Sequence, residues 1–461
     1  MHVAIIGNGI AGVTAARWLR KLSNTVRITV ISAESDYFFS RTALMYVYMG
    51  HQRWEDLMPY EPFFWKKNRI DLLRQYVERV DTGGKVLHCG DGSTLQYDKL
   101  ILATGSSWNK FGWPGQDLRR VGGMVSAQDL NLLEEITPEV RSAVIVGGGL
   151  IGVELAEMLH SRHIHVTLLV RDRSYWSGTL PREESEMVSR HILSQGIDLR
   201  HDTELREIVD DGTGAAGAVI TKSGERIECQ YVGLTAGVHP NIDFLNNADG
   251  LETKKGILVN HYLETSVPDV YAIGDCAQVR EPRPGRTPIE AVWYTGRIMG
   301  ETVAYNILGR PVAYDPGIWF NSAKFIDIEY QVYGEVPADG REGMSTIYWE
   351  HPGGEKSVRI NYDAAGGRVL GFNLMGIRYR HEVCEKWIAD GTHVEEVLQK
   401  LGLANFDPEF YKQYEAEVVA QYNRQTGSNL QLRQQRSLSA ALRFLGFKSR
   451  TPRAISPQDA Q

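Results

Sequence analysis

An α/β chain with two repeated strand–turn–helix units and a smaller α+β domain at its C-terminal end is predicted from three observations. Two glycine-rich turns, Gly7-Asn8-Gly9-Ile10-Ala11-Gly12 and Gly147-Gly148-Gly149-Leu150-Ile151-Gly152, stand 140 residues apart. Each follows an apolar run suited to a buried strand (Val3 to Ile6, Ala143 to Val146) and opens a helical stretch. From about Gly317 the texture changes to alternating strand-like segments followed by helices.

The spacing within each turn has a mechanical meaning. The first glycine permits a tight strand-to-helix turn, the second lets backbone approach a pyrophosphate, and the third lets helix and strand pack closely. Phosphates then lie against free N–H groups at the positive end of the helix. One such turn is weak evidence, because glycine-rich turns also arise for steric reasons. Two, each in strand–turn–helix context, suggest two dinucleotides in one chain and electrons passing between them.

The elements follow in order. After the first turn come an amphipathic helix through Leu22, the strand Arg27–Ile31 and then Glu34, 22 residues past Gly12, where an acid accepts hydrogen bonds from a ribose. Lys85–Cys89 and Thr94–Tyr97 flank Asp91-Gly92, a hairpin signal. Leu100–Leu102 reads as a buried strand ending in the small-residue turn Ala103-Thr104-Gly105. The second half repeats this grammar with a helix, the strand Val166–Val170, a hairpin around Lys222-Ser223-Gly224, and Gly233-Leu234-Thr235-Ala236-Gly237 echoing the earlier small-residue turn. Asp269 to Asp275 reads as a further buried strand with an acid at its carboxyl end. Beyond Gly317, Glu329–Tyr333, Ser345–Trp349, Val358–Tyr362 and Val369–Leu374 are strand-like, and Thr392 with Glu395 makes a capping box for a helix ending near Leu401.

Composition narrows the class. A charged fraction of 23% beside 43% hydrophobic residues is that of a globular chain, and a net charge of −7 argues against nucleic acid as the main partner. No apolar run reaches the ~18–20 residues that span a bilayer, and a core strand beginning by residue 3 leaves no signal peptide, so a cytoplasmic protein is expected. The four cysteines (Cys89, Cys229, Cys276, Cys384) are far apart, which supports neither a disulfide framework nor a metal site. His160, His163 and His165 are expected to splay at a surface rather than to bind metal, so no metal is predicted.

In collinear order over roughly residues 1–380, the first turn, Glu34, Tyr97-Asp98-Lys99-Leu100 before Ala103-Thr104-Gly105, the second turn and Gly274-Asp275-Cys276-Ala277 resemble the FAD-dependent pyridine nucleotide–disulfide oxidoreductase superfamily. Within it, Ile28-Thr29-Val30-Ile31 through Phe39-Ser40-Arg41 to Gly50 is most similar to the flavin modules of NADH:rubredoxin reductases and assimilatory nitrite reductases. The resemblance implies a glutathione-reductase-like fold with two Rossmann-like, three-layer ββα dinucleotide-binding domains. An FAD-binding domain would span 1–118 and 245–315, with an NAD(P)H-binding domain inserted at 119–244, an α+β interface domain at 316–425 and a basic tail at 426–461. A homodimer is implied as well.

Carried over residue by residue, the resemblance puts the FAD pyrophosphate on Gly7, Gly9 and Gly12, the adenosine ribose on Glu34, and Arg41 near the pyrophosphate. Thr104 and Gly105 would line the same site, and Asp275 would accept from the ribityl chain or flavin phosphate. Gly147, Gly149 and Gly152 would bind the NAD(P)H pyrophosphate, with Arg171 and Gly237 in that site and Glu154 beside the nicotinamide. A glutamate there orients the carboxamide for hydride transfer. Arg171 and Arg173 favour a 2′-phosphate and hence NADPH, whereas Asp172, 20 residues past Gly152, and a third glycine favour NADH. The balance leans to NADH.

Departures from the family pattern sharpen the expectation. Residues 36–60 contain no cysteine, so thiol chemistry on that face is not expected and electrons should leave from the flavin. Tyr46 stands where related reductases often place a lysine paired with the equivalent of Glu154, so Glu154 should be held differently and Tyr46 joins it as a second candidate. His381 and Cys384 share a helix face, but a core or interface helix is the expected reading, and Trp319, Trp349 and Tyr330, Tyr333, Tyr348 and Tyr362 are expected to build a core or interface. Residues 429–458 carry Arg433, Arg436, Arg443, Lys448, Arg450 and Arg453 without an acid, and Leu438, Leu442 and Leu445 fall at i, i+4 and i+7. The stretch 433–453 is therefore a candidate contact for an acidic partner or the inner membrane face. The expected activity is electron transfer from NAD(P)H through FAD to an external acceptor, preferably a small iron–sulfur protein of rubredoxin or ferredoxin type. A peripheral NADH:quinone reductase is the nearest alternative, and an NADH-sensing flavoprotein resembling apoptosis-inducing factor is the alternative from another class.

Overall fold

The computed structural model describes residues 1–406, 412–433, 441–442 and 444–446, which fall in two compact units. One comprises Met1–Tyr175 with Ile192–Gly317, the other Trp176–His191 with the residues from Ile318 onward.

Two five-stranded parallel sheets organise the first unit. One has the order Val270–Ala272, Lys99–Leu102, His2–Ile6, Arg27–Ser32, Ile70–Arg74. The other runs Asp198–Arg200, His165–Leu169, Ser142–Val146, Tyr231–Leu234, Val121–Gly122. The central strands are apolar almost throughout because parallel sheets are covered on both faces; Val3, Ala4 and Ile5 are fully buried, as are Ile145 and Leu234. Each domain adds a three-stranded antiparallel sheet: Val77–Asp81, Val86–Cys89 and Thr94–Gln96 in one, Leu205–Asp210, Ala216–Thr221 and Arg226–Glu228 in the other. Both hairpins read from the sequence are present, with Gly92 and Gly224 supplying the left-handed turn positions at φ +82° and +90°.

A strand pair and a helix packing are among the ties between the two domains of this unit. Ser106–Trp108 pairs antiparallel with Val238–Pro240, so the strands that leave the two small-residue turns lie side by side. The short helix Leu44–Tyr48 packs on the helix Leu150–Ser161 that follows the second glycine turn. There the Arg162 guanidinium lies 3.7 Å over the Tyr48 ring, donates from Nε to the Tyr48 carbonyl at 3.0 Å, and pairs with both oxygens of Glu134 at 2.6 and 2.7 Å. Arg162→Met keeps the stem and removes all three interactions. It is expected to cost about 1–2 kcal/mol, from one stacked cation and one half-exposed ion pair. An unchanged urea-unfolding midpoint would show that the latch contributes nothing.

The second unit is built on an antiparallel sheet in the order Phe320–Phe325, Ile328–Gly334, Val369–Met375, Ser357–Asp363, Met344–Glu350. Four of these strands match the pattern read from the sequence. The fifth, Phe320–Phe325, escaped notice because its interior, Asn321-Ser322-Ala323-Lys324, is short of the apolar alternation that marks a strand. Tyr333, Phe372 and Trp387 are fully buried in the core beside Trp349, and Tyr330 is buried too, so the aromatic residues serve packing; Trp319, Tyr348 and Tyr362 are half-buried.

Two local expectations are corrected. The helix Val394–Gln399 is capped by His393, whose Nδ1 accepts from the Glu395 N–H at 3.3 Å. Thr392 lies one residue outside the helix: the first helical bond runs from the Val397 N–H to the His393 carbonyl, while the Thr392 carbonyl accepts from Val369. The helix Arg182–Ser194 had no counterpart in the sequence reading, although Pro181 followed by Glu183 and Glu184 is a helix-start signal. Up to His191 it belongs to the second unit. There Arg359 Nε donates to Glu184 Oε1 at 2.7 Å and Nη2 to Glu183 at 2.7 Å; Glu184 is fully buried, and His191 pairs with Asp327.

Of the tail stripe, Leu442 is exposed, whereas Phe444 and Leu445 pack against the core of the second unit, with the Phe444 ring 5.9 Å from Trp387. Those two are core-facing rather than parts of a free apolar surface. Arg436, Leu438, Arg443, Phe447, Lys448, Arg450 and Arg453 lie outside the described residues. Among the described residues no helix is long and apolar enough to cross a membrane.

Candidate dinucleotide sites

The two glycine turns are the same device used twice. Gly7 has φ +111° and Gly147 φ +132°, a region that side-chain-bearing residues rarely enter. A Cβ on Gly7 would stand 2.1 Å from the Ala103 carbonyl oxygen, and one on Gly147 would stand 2.6 Å from the Thr235 carbonyl oxygen. Each first glycine thus packs on the small-residue turn of the neighbouring strand. The third glycine closes each loop: a Cβ on Gly12 would be 2.1 Å from the Gly7 carbonyl oxygen, one on Gly152 2.3 Å from that of Gly147.

The middle glycine of the first turn differs in the way a ligand requires. Nothing stands within 4 Å of a Cβ built on Gly9, so its backbone faces open space. Gly9 and Gly149 begin the helices Ile10–Leu22 and Leu150–Ser161, and neither helix has a side-chain cap or an acid in its first turn. The first N–H groups of a helix lack partners within it, so both ends keep donors and a positive field for an anion. These residues fit a pyrophosphate.

Around the first turn, Asn8 is buried and donates from Nδ2 to the carbonyl and hydroxyl oxygens of Ser35, both at 3.0 Å, while its Oδ1 accepts from Ser32. That network sets the chain path through Glu34. The Glu34 carboxylate accepts from Arg41 Nη1 at 2.7 Å and from the Ala127 N–H at 3.0 Å. Arg41 also donates to the Val125 carbonyl. Burial works against the Arg41 charge, but the Glu34 bonds outweigh it and hold the guanidinium above its usual value. Asp275 accepts from Ser106 Oγ at 2.9 Å; burial pushes its carboxyl above the ordinary value, against that bond and the Arg41 charge. Thr104 Oγ1 donates to the Asn241 carbonyl at 2.7 Å, and the Gly105 carbonyl accepts from Asn241 at 3.0 Å. Glu34 and Arg41 thus form one bonded set, while Thr104 and Gly105 on Asn241 and Asp275 on Ser106 hold the turn that follows Lys99–Leu102; the Arg41 charge reaches Asp275.

Around the second turn, Glu154 is half-buried on the helix Leu150–Ser161, and Tyr46 is half-buried on the short helix packed against it. Gly237 has φ +87°, and its carbonyl accepts from Asn109 at 3.1 Å. Arg171 is exposed and pairs at 3.4 Å with Asp172, its neighbour in the chain, so it is not drawn to the other candidate residues. His160, His163 and His165 are all exposed. Cys276 is fully buried beside the Leu102 and Ile273 carbonyls, and Cys384 is fully buried with its thiol pushed far up by burial, so neither is an accessible thiolate.

Several residues of these sites were missed from sequence. Gly296 and Gly300, on the helix Trp293–Ile307, let that helix lie on Ile10–Leu22; a Cβ on Gly300 would stand 2.5 Å from the Ala11 carbonyl oxygen. Their four-residue spacing was legible. The tie from Val125 and Ala127 to the Glu34–Arg41 pair, and the phenol of Tyr175 behind the second turn, have no local signal.

Two Rossmann-type domains, each with an uncapped glycine turn, define a two-dinucleotide reductase. Comparison with known proteins agrees: residues 1–300 match the pyridine nucleotide-disulphide oxidoreductase family, and the chain belongs to it. It is an oxidoreductase whose cofactors are FAD and NAD(P)H. The rubredoxin–NAD(+) reductase of Pseudomonas putida is 28% identical over 69% of this chain and 83% of its own. The ferredoxin–NAD(+) reductase component of a biphenyl dioxygenase system from Paraburkholderia xenovorans is 30% identical over 67% of this chain and 75% of its own. Among solved structures, a ferredoxin reductase from Rhodopseudomonas palustris shares the fold with a TM-score of 0.73 at 24% identity, over 81% of this chain and 91% of that one.

Proposed function

We propose that this chain oxidises NAD(P)H and passes the electrons to a small iron–sulfur protein of the rubredoxin or ferredoxin class. Bound FAD would supply the chemistry, accepting a hydride and releasing electrons onward. The observation that carries the reading is the pair of uncapped glycine turns in one two-domain unit. Relatives named as rubredoxin and ferredoxin reductases favour the acceptor class, and the lack of any cysteine at 36–60 leaves no thiol relay in that segment.

In this reading Gly7, Gly9 and Gly12 hold the FAD pyrophosphate. Glu34 takes the adenosine ribose, Arg41 stands by the pyrophosphate, Thr104 and Gly105 line the site, and Asp275 accepts from the ribityl chain. Gly147, Gly149, Gly152 and Gly237 hold NAD(P)H with Arg171 at the rim, Glu154 orients the nicotinamide carboxamide, and Tyr46 borders it. NADH is the preferred donor. A homodimer is part of the proposal, and the basic tail is its contact for an acidic carrier; sedimentation velocity tests the first, and carrier affinity of a chain ending at residue 446, which keeps Phe444 and Leu445 and removes Lys448, Arg450 and Arg453, tests the second.

Anaerobic stopped-flow tests the core of the proposal. Flavin bleaching by NADH faster than by NADPH, followed by rapid reoxidation by added rubredoxin or ferredoxin, is expected. Reoxidation only by a soluble quinone analogue would replace the acceptor. Slow bleaching with a stable charge-transfer band and a change in size would indicate a sensor instead, and purified protein without flavin would overturn the reading.

A further inference from the structure

Tyr175 is fully buried, yet its hydroxyl is aimed at the second glycine turn and donates to the Gly149 carbonyl at 2.6 Å. That carbonyl also accepts the first helical bond, from Val153 at 3.2 Å. The same hydroxyl would stand 3.2 Å from a Cβ on Gly152, so the phenol lies against the inner side of the turn. Glu154 is close enough for its charge, after burial itself, to help keep the phenol protonated and therefore a donor.

The geometry of one peptide unit turns this into a statement about the ligand. In a trans peptide the carbonyl of one residue and the N–H of the next point in opposite directions within one plane. A donor that holds the Gly149 carbonyl from inside therefore aims the Leu150 N–H outward, past the start of the helix Leu150–Ser161. A hydrogen bond on the carbonyl also polarises the peptide and strengthens that N–H as a donor. We infer that Tyr175 is a positioning residue for the nicotinamide dinucleotide: it sets the Leu150 N–H against the pyrophosphate without touching the ligand itself. The inference rests on the reading of Gly147–Gly152 as the NAD(P)H turn. At the first turn the support is the Asn8, Ser32 and Ser35 network on the chain beyond the turn.

Tyr175→Phe removes the hydroxyl and keeps the ring that fills the space. In anaerobic stopped-flow the variant is expected to bind NADH roughly three- to tenfold more weakly, the range for a misaimed hydrogen bond from the Leu150 N–H to the pyrophosphate. Its limiting rate of flavin reduction should stay within twofold of wild type with flavin content kept, while the thermal midpoint falls by a few degrees at most, because the buried hydrogen bond is lost from the free protein too. ADP-ribose, which carries the pyrophosphate without the nicotinamide, should lose affinity by the same factor when titrated as a competitor. A merely structural role would lower the midpoint alone, leaving the affinity of the folded fraction for NADH and ADP-ribose untouched, and would overturn the inference. Unchanged affinity for NADH and ADP-ribose in Tyr175→Phe would overturn it as well. If wild-type protein itself shows no saturable reduction by NADH and no competition by ADP-ribose, the fault lies with the reading of the turn, and the two failures are thereby distinguished.

Discussion

Gly147→Ala is expected to keep FAD and to lose reduction by NAD(P)H, with the second-order rate of flavin bleaching down by at least about a hundredfold. Two costs add. The backbone at φ +132° is strained for any residue with a Cβ, by about 1–3 kcal/mol. The added methyl would also meet the Thr235 carbonyl carbon and oxygen at 2.6 Å and the Ala236 nitrogen at 2.8 Å. All three are backbone atoms of a strand end, so no side chain can swing aside, and overpacking adds about 1–3 kcal/mol. The turn must move, and with it the N–H groups proposed to hold the dinucleotide. Since about 2.7 kcal/mol is a hundredfold in affinity, the sum suffices. Gly7→Ala is the mirror experiment: φ +111° and a 2.1 Å approach to the Ala103 carbonyl oxygen predict protein purified without its yellow colour. Wild-type bleaching rates in Gly147→Ala would mean that the donor binds elsewhere.

The largest effect on stability is expected at Arg359. Its guanidinium is nearly buried and bonds Glu184, which is fully buried, and Glu183, which is half-exposed. Removing one member of a buried ion pair strands the other, at about 3–5 kcal/mol. Arg359→Met should therefore lower the unfolding midpoint of the second unit sharply at neutral pH. The effect should depend on pH with a definite sign. Burial already raises the Glu184 carboxyl above 4.5, the Arg359 bonds opposing it; without Arg359 it rises further. A group raised in the folded state gives stability that is present below its unfolded value and is lost as pH climbs through the folded one. The deficit of Arg359→Met should thus shrink as pH falls toward 4.5 and be greatest near pH 7. A deficit of equal size at both pH values would mean that lost packing, rather than an uncompensated carboxylate, is the cause. Glu184→Gln in the same background should relieve much of the deficit at neutral pH.

Local chemistry decides how much of this was legible. The glycine turns, their strands, both hairpins and the small-residue turns are written in contiguous residues, because tight turns and doubly covered parallel strands leave little choice of side chain. Phe320–Phe325 was hidden because a half-buried strand tolerates polar residues, and His393 is the cap in place of Thr392 because the helix begins one residue later than the capping box suggests. The site divides in the same way. Glu34 is marked by its spacing from Gly12, whereas Arg41 and Asp275 are marked by the family resemblance. Tyr175 and the Val125–Ala127 backbone are marked by neither, since their roles come from tertiary neighbours.

The sheet around the first glycine turn is completed by Val270–Ala272, which pairs with Lys99–Leu102 across a gap that holds the whole second domain. On a ribosome this imposes a wait. At about 5–20 residues per second, roughly 10–30 s pass between synthesis of the two partner strands. During that interval Lys99–Leu102 is an open parallel edge of buried character, the kind of surface that templates aggregation. Asp275 follows directly after the late strand, so the nascent chain gains the acid proposed for the flavin site and closes its exposed edge in one event. Flavin supply during translation should therefore govern yield more than flavin added to the finished chain.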